Sequence, residues 1–326
     1  MKLPRRKFLQ LVGAAAVAPA FSPAATAESY PSRPITMIVP FAAGGPTDVV
    51  ARLVAERMRG SLGQPVIVEN VGGGDGNIAV GRAVRARPDG YTIDFGEMNS
   101  HVLNGALYSL SYDPLNDLTP VAPVASIPRV LFARKTTPAE DLRELIDWLK
   151  AKPNKASAAV TSVGYRLILA LFQKETGTRL ALVPYRGIAP AMQDLAAEQI
   201  DIALGTSTEL SLMRSGIIKA YAAGSRARLE QAPDIPTFEE LGLPTLSIAG
   251  WAGLFAPKAT PSDIIHKLNA AVVMALADPA VRSRLTDLGM EIFPRDRQTP
   301  EALAALQKAD AEKFWPLIKE LGIKAE

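Results

Sequence analysis

The chain has 326 residues, of which 48% are apolar and 21% charged, with no cysteine and two histidines. That apolar content excludes a disordered chain. The absence of cysteine excludes a disulfide framework, a thiolate metal site and a cysteine nucleophile, and two histidines argue against a multi-histidine metal centre. At roughly 100–200 residues per domain, the length calls for about two domains with ample core.

Residues 1–27 read as an export signal. Lys2, Arg5, Arg6 and Lys7 form a basic n-region, an apolar stretch runs from Phe8 to Ala20, and Ala25-Thr26-Ala27 offers a small-x-small cleavage site. The stretch is short of the ~20 residues a membrane span needs. Arg5-Arg6-Lys7-Phe8-Leu9 resembles a twin-arginine signal, the alternative being an ordinary secretory signal with two chance arginines. The full chain carries 36 basic and 33 acidic residues, net +3; residues 1–27 hold four basic and no acidic ones, so cleavage leaves 32 against 33, net −1. A basic surface for nucleic acid is therefore not expected, nor is stable membrane insertion once the signal is removed.

Beyond the signal, strands and helices alternate. Ile35–Val39 is a short β-rich apolar run; it opens into a loop ending at Gly44-Gly45, after which Val49, Val50, Leu53, Val54 and Met58 line one helix face as far as Gly60–Gly63. Val66–Val68 is the next strand and opens into Gly72–Gly76 and a helix to Val84, and Pro88-Asp-Gly90 turns into a strand at Tyr91–Phe95. This βαβαβ order implies a parallel sheet covered by helices. Thr137-Pro-Ala-Glu140 reads as a capping box before Leu142, Leu145, Ile146 and Leu149. Strands are expected at Ala181–Val183, Ile200–Leu204 and Ile218–Ala223. Helices are expected at Ala189–Ala197, from Thr260 to Leu276 and from Thr299 onward. Without an obvious linker, two α/β lobes must share a chain that crosses between them more than once.

Enzyme motifs are missing. There is no G-x-S-x-G, no G-x-x-x-x-G-K-[ST] and no H-E-x-x-H, and Gly72–Gly76 does not satisfy G-x-G-x-x-G. His266 falls on the periodic helix as a surface residue. His101, after a strand, is a candidate ligand contact. No enzyme activity, cofactor or metal is expected. The informative feature is the pair of glycine loops, Gly44-Gly45 and Gly72–Gly76, each past the carboxyl end of a parallel strand and before a helix. Open α/β sheets bind ligands there. Glycine lets amides converge on one point and a helix N-terminus adds about half a positive charge, so the pair forms an anion receptor without charged side chains. Asp48, in the first helical turn, either stabilises the helix dipole or faces a cationic part of a ligand.

Val39-Pro-Phe-Ala-Ala-Gly-Gly-Pro-Thr-Asp-Val-Val-Ala-Arg52 resembles the first signature of the Bug-type substrate-binding proteins of tripartite tricarboxylate transporters. Val68-Glu-Asn70 with the second glycine loop, Pro88-Asp-Gly-Tyr-Thr92, Leu107-Tyr108, Tyr112-Asp-Pro114, Val183-Pro-Tyr-Arg-Gly187, Pro233-Asp-Ile-Pro-Thr237 and Trp251-Ala-Gly253 continue it in order. The resemblance implies a two-lobed α/β periplasmic binding fold, each lobe a mainly parallel sheet flanked by helices. Residues 28–125 and 249–326 would form lobe one, the latter holding a crossover segment with Trp251, and residues 126–248 lobe two. It also implies a periplasmic receptor that passes a small di- or tricarboxylate, acidic amino acid or aromatic carboxylate to membrane transporter components. A ligand sensor for a signalling receptor is the alternative on the same fold. Carried onto this chain, the binding residues are Phe41, Ala43, Gly44, Gly45, Thr47 and Asp48 from the first loop, and Gly73, Gly74, Asp75, Gly76 and Asn77 from the second. Ser100 follows, with Thr161, Ser162, Tyr165, Arg166 and Tyr185 from the opposite lobe. Asp75 stands where the family commonly has Gly. In Ala158–Arg166 the family's glycines are largely lost, and Arg166 stands about where a His is common.

Overall fold

The computed structural model describes residues 30–324; the export signal expected at residues 1–27 lies outside the described residues. Two sheets organise the chain. The first has the order β11-β4-β10-β3-β1-β2, from β1 (Ile35–Val39), β2 (Val66–Asn70), β3 (Thr92–Glu97), β4 (Leu118–Ile127), β10 (Gly250–Pro257) and β11 (Glu291–Ile292). The second has the order β7-β6-β8-β5-β9, from β5 (Val130–Arg134), β6 (Ser157–Val160), β7 (Ala181–Pro184), β8 (Ile202–Gly205) and β9 (Ile218–Ala223). β2, β1 and β3 pair in parallel, as the βαβαβ reading requires, while β10 runs antiparallel to both β3 and β4. In the second sheet β6 pairs in parallel with β7 and β8, and β5 runs antiparallel to β8 and β9. Each sheet is thus parallel at one side and closed by antiparallel pairs where the chain enters and leaves.

Alternation along β1 assigns its two faces. Ile35, Met37 and Val39 pack with Val50, Val54 and Met58 of α1 (Pro46–Leu62) and with Leu268, Val272 and Leu276 of α8 (Ser262–Ala277). Ile38 points the other way, into a core continuous with Val102, Phe255, Leu131 and Ile168, as the two-residue period of a strand dictates. α1 starts with Pro46 at its first turn and stops at Gly63, whose φ of +69° lets its amide close on Arg59 O. Helix α4 (Leu142–Lys150) begins later than the Thr137–Glu140 box predicts: Asp141 is the cap, accepting from the Glu144 amide, while the Glu144 side chain accepts from the Glu140 amide. The expected box at Thr137–Glu140 does not form, the Thr137 hydroxyl being buried without a partner; Asp141 takes the cap because it lies directly before the apolar face that must be buried.

The sheets are joined at two close strands of backbone. Pro128-Arg129 links β4 to β5, and the segment after β9 returns to β10; the Gly224 amide donates to Arg129 O at 2.6 Å. A Cβ at Gly224 would lie 3.1 Å from Ile248 O and 3.4 Å from Arg129 O, so a side chain there would press the two connections apart by a few tenths of an ångström. Trp251, expected in a crossover segment, lies within β10, 2% exposed, its indole donating to Asp310 at 2.7 Å. The last helix, α10 (Pro300–Glu320), is capped by Thr299 as predicted. It packs beneath residues 101–114 through Gln307 and Trp315, and touches α5 (Val163–Thr176) through Lys174–Glu320. Among the described residues no single helix is long and apolar enough to cross a membrane; α8 and α9 (Pro279–Asp287) could do so only as a pair, and they meet at a 72° bend.

Candidate functional site

Three segments follow the carboxyl ends of the parallel strands β1, β2 and β3 and meet at one edge of the first sheet. The first loop, Pro40–Gly45, is held from below. Asp48, 2% exposed, accepts from the Gly44 amide at 2.8 Å, from Arg52 Nε at 3.0 Å and from Asn70 Nδ2 at 2.9 Å. Asn70 also donates to Phe41 O at 3.1 Å and accepts from Arg52. Burial alone would raise the Asp48 pKa; the hydrogen bonds from Arg52, Gly44 and Asn70 outweigh it and hold the carboxyl below its ordinary value. Of the two roles open to Asp48, the geometry supports neither a ligand contact nor the dipole alone: it is the internal anchor of the first loop.

The second loop abuts the first. A Cβ at Gly76 would lie 3.0 Å from Pro40 Cβ and 3.2 Å from Ser100 Cβ, and φ at Gly76 is +90°. Gly74, Asp75 and Gly76 all adopt positive φ (+55°, +53° and +90°), which is where glycine is the unstrained residue. Asn104 donates to Asp75 O at 2.9 Å and to Asn77 Oδ1 at 2.8 Å, and Tyr108 donates to Asp75 Oδ2 at 2.6 Å. Burial first, then the Asp75 carboxylate, push the Tyr108 hydroxyl up to about 12, so it remains a donor at neutral pH.

Some amides of the loops are spent internally: Gly44 on Asp48, Gly45 on Ala42 O at 3.4 Å and Gly76 on Gly73 O at 3.1 Å. Among the described residues those of Ala42, Ala43, Gly72, Gly73, Gly74 and Asp75 have no protein acceptor. Both loops expose these positions. The anion-receptor reading thus retains its donors, centred on Ala43 and on Gly73–Asp75 rather than on the Gly44-Gly45 pair.

Behind the loops lies a buried polar layer that sequence reasoning only partly found. Glu97, at the end of β3, accepts from Thr47 Oγ1 at 2.5 Å and, with Ser100, caps the short helix α3 (Met98–His101). Ser100, 0% exposed, contacts His101 Nδ1 at 3.0 Å, and His101 Nε2 lies 2.8 Å from Asp94; Ser100 and His101 therefore support the site from within and do not line it. The His101 ring stacks on Phe255 at 4.3 Å and lies against Gly96, where a Cβ would fall 1.9 Å from it. His266 is exposed on α8, as its helical position predicts.

Burial raises the Glu97 pKa against the opposing pull of Thr47, Arg129, His101 and Asn99. A carboxyl raised on folding stabilises the fold while protonated and loses that contribution as pH rises through its folded value. Glu97→Gln keeps the acceptor for Thr47 and removes the buried charge. It is expected to melt at or above the wild-type temperature at pH 8 and to lose that advantage at pH 5; a variant less stable at pH 8 than at pH 5, relative to wild type, would contradict the assignment.

The second sheet faces the loops. Gly164, at the start of α5, passes so close to Asn99 that a Cβ there would lie 2.6 Å from Asn99 Oδ1. Tyr165 is 4% exposed; its hydroxyl accepts from Arg129 at 2.8 Å, and burial pushes it up to about 12. It ties α5 to the connecting strand instead of lining the opening. Between the sheets is a cavity of about 270 Å³ lined by Gly74, Asp75, Tyr108, Thr161, Ser162 and Arg166, with Val160, Val163, Tyr185 and Lys324 completing it. Thr161 Oγ1 and Ser162 Oγ are buried and have no protein partner. Ser162 caps α5 without a side-chain bond to it, so both hydroxyls are left for an occupant or for water. Tyr185 donates to Asp194 at 2.6 Å. Six of the expected site residues thus share one cavity: Gly74, Asp75, Thr161, Ser162, Arg166 and Tyr185. Phe41, Ala43, Gly44 and Gly45 form the adjoining loop, Gly73, Gly76 and Asn77 complete the second, and Thr47, Asp48, Ser100 and Tyr165 lie behind. Among the described residues no three His, Asp or Glu side chains gather as a metal-binding group.

Two α/β sheets joined by paired connections, with a polar cavity between them, give the chain the two-lobed frame of a solute-binding protein. The family profile described as tripartite tricarboxylate transporter family receptor matches residues 50–323, and the chain belongs to that family. The chain is 37% identical to the periplasmic binding protein BugD, with 91% of this chain and 100% of that one covered and a TM-score of 0.82. It is also 37% identical to MatC of Rhodopseudomonas palustris, solved with bound malate, with coverage of 89% and 100% and a TM-score of 0.81. A further R. palustris protein, solved with adipate, is 30% identical, with coverage of 90% and 99% and a TM-score of 0.83. The resemblance read from the motifs and the two-lobed α/β fold it implied are both borne out.

Proposed function

We propose that this protein is a periplasmic receptor that captures a small carboxylate between its lobes and delivers it to a membrane transporter of the tripartite tricarboxylate type. The lobes are residues 28–125 with 249–326, and residues 126–248; residues 1–27 direct export by the twin-arginine route. The observation that carries the reading is the cavity shared by the second glycine loop and the unpartnered hydroxyls of Thr161 and Ser162. A ligand carboxylate is held by the open amides of Ala43 and Gly73–Asp75, while the rest of the molecule meets Thr161, Ser162, Arg166 and Tyr185. Phe41, Gly44, Gly45, Gly76 and Asn77 shape the two loops, and Thr47, Asp48, Ser100 and Tyr165 position them. Because the ligand touches both lobes, it favours the closed arrangement by its differential affinity. No covalent step is needed, and the malate and adipate in two relatives are consistent with a dicarboxylate.

Calorimetry and thermal melting of the purified protein against four- to six-carbon carboxylates test this. Mass action predicts a rise in melting temperature with at least one, since a ligand at 100 times its Kd adds about 2.7 kcal/mol. Uniformly flat melting and titration curves across such a panel would refute it.

A further inference from the structure

Asp75 is out of place on two counts. Its φ of +53° and ψ of +33° lie in the left-handed region that glycine adopts without cost and aspartate at a modest one, and its neighbours at positive φ are glycines. It also puts a carboxylate into a loop whose open amides suit an anion. Neither feature is relieved by the fold turning it away. Asn104 grips its carbonyl at 2.9 Å, Tyr108 grips Oδ2 at 2.6 Å, and Asp75 and Tyr108 both line the cavity between the lobes. The remaining oxygen, Oδ1, has no protein partner among the described residues. A bare dicarboxylate in this cavity would carry its charge close to a fixed negative one.

The same cavity holds two more unpaired oxygens, Thr161 Oγ1 and Ser162 Oγ. Three acceptors without protein donors, one of them anionic, match the three N–H bonds of a protonated amine. We propose that Asp75 is a specificity-determining residue that makes this cavity select a carboxylate bearing an ammonium group over the same carbon skeleton without it. The proposal rests on the cavity being the ligand site. The ammonium donates to Asp75 Oδ1 and to the hydroxyls of Thr161 and Ser162, and the carboxylates lie toward the loop amides and toward the basic side of the cavity, where Arg166 and Lys324 stand. Tyr108 is a positioning residue that fixes the carboxylate of Asp75.

Matched pairs test it: succinate against L-aspartate, and glutarate against L-glutamate, each titrated by calorimetry into the wild-type protein and into Asp75→Asn and Asp75→Gly. In the wild type the amino member of at least one pair is expected to bind more tightly by about tenfold or more. Asp75→Asn, which removes the charge at constant size, should cut that preference to less than about threefold, and Asp75→Gly should bring the plain diacid to parity or better. Asp75→Gly should also melt no lower than wild type, because it relieves the backbone, so a lost preference there is not a folding defect. Tighter binding of the plain diacids by the wild type, or a preference that survives Asp75→Asn, overturns the proposal. So does binding of malate or adipate with no binding of either amino acid, a result that leaves the receptor function standing. Failure of every carboxylate overturns the receptor function itself, and this inference with it.

Discussion

Asp48→Ala is expected to lower the unfolding free energy by about 3 kcal/mol and to weaken carboxylate binding about 100-fold. The side chain is 2% exposed and is the common acceptor for Gly44 N, Arg52 Nε and Asn70 Nδ2. Its removal leaves three donors, one of them charged, facing a space that apolar atoms do not fill. The loss reaches the ligand because Asn70, freed from Asp48, also ceases to fix Phe41 O. A first loop that must then be ordered on binding costs on the order of 1–2 kcal/mol per residue, and two residues account for the hundredfold. Asp48→Asn should be nearly as damaging: whichever way the amide is turned, its NH2 meets one of the donors that Asp48 now accepts. Urea unfolding and calorimetry read the two effects separately. The sign with pH is fixed too. A carboxyl lowered on folding contributes above its unfolded pKa, about 3.9, and that contribution is lost as pH falls through the folded value. The stability gap between wild type and Asp48→Ala should therefore be full at neutral pH and close in acid. An Asp48→Ala protein as stable as wild type at pH 7 would show that the first loop does not depend on this anchor.

Gly76→Val should be the most severe single change at the binding edge. Its φ of +90° is hostile to a β-branched residue, and its Cβ would press on Pro40 and Ser100 at 3.0 and 3.2 Å. Left-handed backbone costs about 1–2 kcal/mol and overpacking about 1–3 kcal/mol, so a loss of about 3 kcal/mol is expected. Pro40 begins the first loop, and relief of the clash must move one loop away from the other, so binding should fall below detection even where the fold survives. Gly72→Ala, where a Cβ meets nothing within 4 Å, is the control and should melt like wild type. Equal binding by Gly76→Val and Gly72→Ala would mean that the contact between the loops does not matter.

How far the sequence reveals this arrangement depends on the range of the forces involved. β1, α1, β2 and β3 were legible because local patterns specify them: short apolar runs bounded by glycine, Pro46 at a helix start, Gly63 at its end. β4 was not legible, since Pro120 and Pro123 argue against a strand. In the structure they sit at the register shifts opposite Gly253 and Phe255, where β10 tolerates a missing donor. Trp251 was misplaced for a related reason: β10 is apolar throughout, and without alternation its sequence does not distinguish a strand from a buried connection. The glycine loops announced themselves, but their fastenings did not. Asn70 reaches back 22 residues to Asp48, Asn104 reaches 29 to Asp75, and Tyr108 reaches 33. Nothing in the local sequence marks such partners, although Asn70 and Tyr108 fell inside family motifs. Ser100 and Tyr165 were expected to touch ligand on the strength of their position, and burial assigns them to support.

Backbone amide resonances of the isotopically labelled protein, followed by NMR hydrogen exchange with and without a bound carboxylate, test the central claim most directly. Binding should slow exchange at Ala43 and at Gly73, Gly74 and Asp75, which lack protein acceptors, while Gly44 and Gly76, already bonded within the loops, change little. Protection that appears elsewhere in the molecule and leaves those four amides exchanging freely would contradict the account.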